Sequence, residues 1–162
     1  MDTRTRNKLL CALPRYQTDW QSICAILPAY LPDGTNGTEV CYLDGTRETV
    51  GARLCWVLDD LLGYLRTSQA VLARQSRKLL GARARRVPLV LHEQFCLVPV
   101  KGRVILGAND STLGYVVLHH VRQVTPEPDG TCITFTGGLT VKVRDRGRTV
   151  WESVRRARLV AG

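Results

Sequence analysis

Three histidines and Cys96 are the residues of this sequence best suited to catalytic or metal chemistry. His119 and His120 are adjacent, and adjacent side chains of a strand point to opposite faces. A strand here could not bring both rings to one metal ion, so we interpret the pair as structural or interface histidines. His92-Glu93 lacks the helical H-E-x-x-H spacing of a metalloprotease. A Cys96 nucleophile would need an oriented histidine such as His119, and no local motif supports that pairing.

The sequence also lacks the motifs of nucleotide-binding loops and a pair of carboxylates placed for catalysis. The chain has neither G-x-G-x-x-G nor G-x-x-x-x-G-K-[ST]. Asp59 and Asp60 are neighbours in a predicted helix, where their side chains diverge, and this favours a solvated face over a metal-dependent nuclease site. The sequence therefore predicts no enzymatic activity and no cofactor. A small hydrolase or nuclease using Cys96 or the histidines is the third of three hypotheses.

The positive charge is concentrated in the middle of the chain. The formal net charge is +9, and residues 66–103 hold nine basic residues against Glu93 alone, whereas residues 1–65 hold six basic and eight acidic ones. Such a cluster is typical of proteins that bind a polyanion, most often nucleic acid, and the alternative is a solubilising surface. The predicted binding residues, the last two of them secondary, are Arg74, Arg77, Lys78, Arg83, Arg85, Arg86, Lys101 and Arg103.

Duplex DNA is the polyanion that this composition favours. Arginine forks pair with phosphate oxygens and suit the narrow minor groove of A·T-rich DNA. Aromatic residues make up only 6% of the chain and none lies in the cluster at 74–86, which disfavours a reader of RNA or single strands. Changing Arg83, Arg85 and Arg86 to Ala is expected to lower DNA affinity with the fold intact. The second hypothesis is a basic protein-interaction or inhibitor module that binds an acidic protein partner, without DNA binding.

The elements that must position these residues begin with a hairpin and two helices. Residues 22–27 and 38–43 read as strands, the first ended by Pro28, around turn-forming Gly and Asn residues. Leucines at helical spacing predict a helix over 54–65. A second helix is expected from the N-cap Ser68 to Gly81, with Leu72, Leu79 and Leu80 inward and the cations at 74, 77 and 78 on one side.

Strand patterns dominate the second half. Residues 88–91, 95–98 and 115–121 read as strands, the last as a central strand covered on both faces. Residues 131–136 and 139–144 flank Gly137-Gly138 as a hairpin. A closing helix over 149–160 is expected to turn Val150, Trp151, Val154 and Ala157 inward. Because strands and helices segregate, the predicted fold class is α+β, a mainly antiparallel sheet with two central helices and a C-terminal helix. Residues 1–19 read as a loosely attached N-terminal arm and 20–162 as a single domain.

Cysteine spacing and hydropathy exclude several further classes. No two of the six cysteines form a C-x-x-C pair, so no zinc site is predicted, and reduced thiols packed as small apolar groups are the expectation. No apolar run approaches the ~18–20 residues that span a bilayer, and the N-terminus lacks a secretory core. The expected location is the cytoplasm, with no membrane partner.

Several segments, taken in chain order, resemble a known family. They comprise the end of the basic helix, the strand pair after it, an aromatic strand, a hairpin and the closing helix, at 79–81, 86–91, 95–99, 115–121, 133–141 and 151–159, with a weaker match at 25–28 and 37–40. In order and spacing this series resembles the ComK competence transcription factors of Firmicutes, over about residues 22–160. The chain departs from the family at Ala73-Arg74, where a Gly-Arg pair is usual, and at Tyr115, where Trp is common.

The resemblance implies a sequence-specific activator of DNA-uptake genes. It implies binding to A·T-rich promoter boxes, largely through the minor groove, by the basic helix and loop, and a nucleoid-associated location. It also implies self-association and delivery to a Clp protease by an adaptor. These remain expectations drawn from the resemblance alone.

Overall fold

The structure, a computed structural model, describes residues 13–102 and 112–162. Its helices are α1 (Arg15–Thr18), α2 (Leu54–Tyr64), α3 (Gln69–Leu80) and α4 (Gly147–Ala161), with 3₁₀ turns at Trp20–Ser22 and Leu118–His120. Its strands are β1 (Ile23–Tyr30), β2 (Asn36–Tyr42), β3 (Arg47–Val50), β4 (Leu89–His92), β5 (Phe95–Lys101), β6 (Leu113–Val117), β7 (Val121–Glu127), β8 (Gly130–Phe135) and β9 (Thr140–Val143). The predicted α+β class is confirmed.

Two antiparallel sheets organise the described strands. The larger has the order β3-β2-β1-β6-β5-β4, and the smaller has the order β7-β8-β9. Strand β1 pairs with β6 through Ala25–Val116 and Ile26–Tyr115, which joins the N-terminal hairpin to the central strands. In the chain, the basic helix α3 comes directly before β4, and β4 forms one edge of the larger sheet.

Apolar residues of the larger sheet alternate between two cores. One face packs on α2 and α3 through side chains that include Ile26, Leu61, Leu72 and Leu97. The opposite face packs on the smaller sheet and α4 through a second set that includes Val98, Ile133 and Val154. Strand β5 supplies both cores, because successive side chains of a strand point to opposite faces. The result is a layer of helices, a central sheet, and a layer formed by the smaller sheet and α4.

Helix α3 begins and ends as its sequence predicts. The Ser68 side chain accepts a hydrogen bond from the Val71 N–H, 3.2 Å away, and caps the first turn. Gly81 follows the last helical residue with φ +112°, a conformation that favours glycine. The Gly137-Gly138 turn is confirmed too, with both glycines at positive φ.

Two of the predicted strands differ in the structure. Strand β1 continues through Pro28 to Tyr30, and Pro28 pairs with Thr38 on β2. Pro28 lies beyond the part of β1 that pairs with β6, so its missing N–H leaves no ladder bond unmade. The single strand expected over 115–121 is wrong, because the chain leaves the larger sheet after Val117 and enters the smaller one at Val121.

Two apolar side chains expected to face inward are exposed. Leu79 is 68% exposed, because the inward side of α3 is formed by Leu72 and by Ser76, whose hydroxyl donates to the Pro88 carbonyl. Trp151 is 46% exposed, because the buried stripe of α4 is narrow. Both corrections leave large apolar side chains on helices that also carry arginines.

Part of the predicted N-terminal arm packs against the described core. Tyr16 in α1 is buried and donates a hydrogen bond to Asp60 of α2, and Gln17 donates to the same carboxylate. The Arg15 guanidinium pairs with Asp19 and Asp44. Residues 13–19 are thus tied to α2 and to the β2–β3 turn, while residues 1–12 lie outside the described part.

Within the described residues, no helix combines the length and the apolar character needed to cross a membrane.

Candidate nucleic-acid interface

Three of the predicted cations share the outer face of α3. Arg74, Arg77 and Lys78 are exposed, on the side of the helix away from buried Leu72 and Ser76. They line a shallow depression of about 430 Å³ together with Ala70 and Ala82. Both Arg74 and Lys78 are exposed, and neither makes a hydrogen bond or ion pair to another residue that the structure describes.

The loop after α3 is held by one of these cations. Arg77 Nε donates to the Ala84 carbonyl at 3.2 Å, and the Ala84 N–H donates to the Gly81 carbonyl at 3.1 Å. Arg83 and Arg85 lie on this short loop with exposed side chains. Arg77 therefore positions the loop, while Arg83 and Arg85 extend the positive surface beyond the end of α3.

Arg86 has a structural partner. Its Nη2 donates to Asp145 Oδ2 at 2.7 Å and its Nη1 to Oδ1 at 3.3 Å. The Asp145 side chain is only 7% exposed, against 38% for Arg86. Arg86 also adopts φ +51°, a left-handed conformation uncommon for a residue with a side chain. This arginine anchors the loop, and its guanidinium is already occupied by a nearly buried carboxylate.

Asp145 also accounts for the position of Lys101. The Lys101 backbone N–H donates to Asp145 Oδ2 at 2.8 Å, and its carbonyl accepts from the Arg144 N–H at 2.7 Å. The exposed end of β5 is thereby brought beside the loop that carries Arg86. Arg103, the other secondary prediction, lies outside the described residues.

Sequence reasoning missed two arginines at this place. Arg144 and Arg146 flank Asp145 and are both exposed. Their backbone adjoins Asp145, which reaches Arg86 across 59 positions of sequence, and they line a separate depression with Glu127 and Asp129. The acidic residue between them was the available signal, since a nearly buried carboxylate requires a partner.

Helix α4 contributes further positive charge next to α3. The two helices are in contact, α3 packing on one face of edge strand β4 and α4 on the other. Arg148, Arg155 and Arg158 are exposed on α4. The positive surface therefore extends over two helices.

The structure corrects the geometry of the histidine pair and gives no support to a cysteine nucleophile. His119 and His120 lie in a 3₁₀ turn rather than a strand, with ring centroids 5.2 Å apart. The His120 Nε2–H donates to the Gln21 carbonyl at 3.1 Å, and burial lowers the pKa of its imidazole. Cys96 is fully buried, which raises the pKa of its thiol to about 12 and keeps it protonated.

Metal ligands are not clustered in the part of the chain that the structure describes. No group of three or more His, Cys, Asp or Glu side chains there could hold a metal ion. The cysteines described, Cys24, Cys41, Cys55, Cys96 and Cys132, are free thiols. Cys24, Cys41 and Cys96 are packed in the core as expected, while Cys55 is exposed.

No family model, curated protein or solved structure matches this chain. The resemblance to the ComK family consequently rests on the segments of the sequence that carry it.

Proposed function

We propose that the protein binds duplex DNA through the outer face of α3 and the loop that follows it. The observation that carries this proposal is the pair Arg74 and Lys78, exposed one helical turn apart with no described anionic partner. Cations held at that spacing on a regular helix can contact neighbouring phosphates. Arg83 and Arg85 continue the contact, whereas Arg86 supports the loop by binding Asp145.

Duplex DNA fits this face better than a single strand. Arg74, Arg77 and Lys78 line the depression on α3 with two alanines, and no aromatic ring is present there to stack an unpaired base. Contacts to phosphate fix the position of a protein on DNA without reading sequence. Preference for A·T-rich sites would come from arginines of the loop in a narrow minor groove.

A role in gene activation, beyond DNA binding itself, is proposed from the family resemblance. A ComK-like protein would activate DNA-uptake genes from promoters that carry spaced A- and T-tracts. A footprint on such a promoter tests this role. Protection limited to the tracts supports it, and uniform protection of any duplex supports non-specific binding only.

Binding to DNA is tested with two charge-matched double variants. Arg74→Gln with Lys78→Gln removes two cations from α3, and Arg53→Gln with Lys142→Gln removes two exposed cations from elsewhere. We expect the α3 variant to bind an A·T-rich 20-base-pair duplex at least tenfold more weakly in fluorescence anisotropy. The control variant should bind within twofold of the unchanged protein. Equal losses in both variants would reduce the effect to net charge and contradict the proposal.

One observation favours an acidic protein as a second candidate partner. Val71 and Leu79 are exposed on the same helix as the cations, and apolar anchors beside charges are typical of protein interfaces. Leu79→Ser should leave duplex binding unchanged if DNA is the partner. A protein that co-purifies with the chain and is lost on Leu79→Ser would favour the second candidate.

A further inference from the structure

The outward face of α4 combines one tryptophan with three arginines. The four residues follow one another at spacings of three and four, so they share one side of the helix. They are Arg148, Trp151, Arg155 and Arg158, and we call them the α4 aromatic-basic face. The face lies beside, and separate from, the stripe that α4 buries in the core.

This face is accessible and positively charged. Trp151 is 46% exposed, and the Arg148 side chain is 91% exposed. Glu152 is the one acidic residue of α4, and its contact with Arg148 is long, 3.7 Å between Oε1 and Nε. Exposed pairs at that distance contribute little, so Glu152 leaves Arg148 available to an external anion.

The other tryptophans have different surroundings. Trp20 packs edge-on against Phe95, with ring centroids 5.1 Å apart. Trp56 is 56% exposed, yet it lies on α2, where Asp59 and Asp60 follow one turn later. An exposed indole among arginines therefore distinguishes Trp151, and Trp56 provides a matched exposed control.

We propose that the α4 aromatic-basic face binds single-stranded DNA, with the Trp151 indole stacking on an unpaired base and the arginines contacting phosphates. Every base offers a flat face for such stacking, whereas the bases of a duplex are already stacked on one another. From Arg148 to Arg158 the helix rises about 15 Å, so the face is long enough to contact more than one nucleotide. The proposal goes beyond duplex binding and depends on residues outside α3 and its loop.

A membrane surface fits this face less well. An interfacial helix inserts a broad apolar face among lipids. The apolar stripe of α4, with Val150, Val154 and Ala157, is buried against the two sheets. The large apolar side chains exposed on α4 are Trp151 and Leu159, and they lie among arginines rather than forming a broad apolar face, which matches a string of phosphates and bases better than lipid.

Tryptophan fluorescence tests the stacking contact directly. In Trp56→Phe, a 15-nucleotide oligo-dT should quench emission as in the unchanged protein. In Trp151→Phe, that quenching should disappear. Trp151→Ala should weaken binding of labelled oligo-dT by about five- to 150-fold, the effect of removing the aromatic ring on which one base stacks. Trp56→Ala should leave it within twofold. If Trp151→Ala does not fold, the quenching of the two Phe variants still decides.

The outcomes separate this proposal from duplex binding. Arg74→Gln with Lys78→Gln should lose duplex affinity and keep the quenching of Trp151 by oligo-dT. Unchanged Trp151 emission with oligo-dT, or equal losses in Trp56→Ala and Trp151→Ala, would overturn the proposal. Stronger quenching by phosphatidylserine vesicles or by polyglutamate than by oligo-dT would also overturn it. The results that overturn this proposal would leave duplex binding through α3 untouched.

Discussion

The Arg86 guanidinium donates two hydrogen bonds to the Asp145 carboxylate, across 59 positions of sequence. The same carboxylate accepts from the Lys101 N–H, and the Asp145 carbonyl accepts from the Thr131 hydroxyl at 2.7 Å. One nearly buried acidic residue thus connects the loop after α3, the end of β5 and the strand β8. Arg86 consequently supports the basic surface from within rather than presenting its charge.

Arg86→Ala is expected to destabilise the fold. The substitution leaves Asp145 with the Lys101 N–H as its remaining side-chain partner, and an under-satisfied buried acceptor costs about 1–3 kcal/mol. Arg83→Ala and Arg85→Ala remove exposed side chains and should each change the free energy of unfolding by less than about 0.5 kcal/mol. Urea unfolding of the three variants checks this, and equal stabilities would contradict the anchoring role. For the triple variant at Arg83, Arg85 and Arg86, the contact with Asp145 now predicts a loss of stability that comes from Arg86.

Gly63→Ala is expected to raise stability. Gly63 lies within α2, and a Cβ added there would meet no other atom within 4 Å. Alanine in a helix is favoured over glycine by up to about 1 kcal/mol. The midpoint of urea unfolding should therefore shift upward, and a downward shift would show an unrecognised constraint.

The Gly63→Ala change also separates stability from DNA binding at Arg86. Combined with Arg86→Ala, it should restore part of the lost stability without adding a charge. If duplex affinity recovers with stability, the loss in Arg86→Ala reflects unfolding of the protein. If affinity stays low in the restabilised protein, Arg86 acts locally, through the loop that it holds or through DNA itself.

Acid is expected to destabilise the protein through His120. Burial lowers the pKa of this imidazole below its ordinary 6.5, and the neighbouring His119 lowers it further, against the hydrogen bond to Gln21. The unfolded chain therefore takes up a proton before the folded one as pH falls. The free energy of unfolding contributed by His120 is complete above about pH 6.5 and declines below it. Urea unfolding between pH 7.5 and 5.5 should show a steeper decline for the unchanged protein than for His120→Gln. Parallel declines would exclude His120 as the cause.

Helices α2, α3 and α4 and the Gly137-Gly138 turn were predictable because their signals are local, whereas α1 lies in the segment read as a loose arm. Ser68 caps α3, Gly81 ends it, and leucines at helical spacing mark α2. Strand exchange between sheets was not predictable, since Val121 after the histidine pair continues the apolar pattern of residues 115–118 and reads as part of the same strand. Only tertiary structure shows that the chain changes sheet there.

Part of the candidate surface was predictable, again because its signal is local. Arg74, Arg77 and Lys78 are grouped by helical periodicity, which sequence reveals. Arg86 is removed from the group of free cations by its contact with distant Asp145, which no local pattern of the sequence reveals. Trp151 was expected inward and is exposed, because the buried stripe of α4 is formed by small and medium side chains such as Val150, Val154 and Ala157 and does not reach the indole.

The salt dependence of duplex binding tests the central claim most directly. The slope of log affinity against log salt concentration, measured between 50 and 200 mM on an A·T-rich duplex, reports the phosphates neutralised, at about 0.9 each. Arg74→Gln with Lys78→Gln should reduce the magnitude of the slope by about 0.9 for each phosphate that is no longer neutralised. Arg53→Gln with Lys142→Gln should leave it unchanged. An unaltered slope in the α3 variant would contradict the assignment of α3 as the DNA-contacting element.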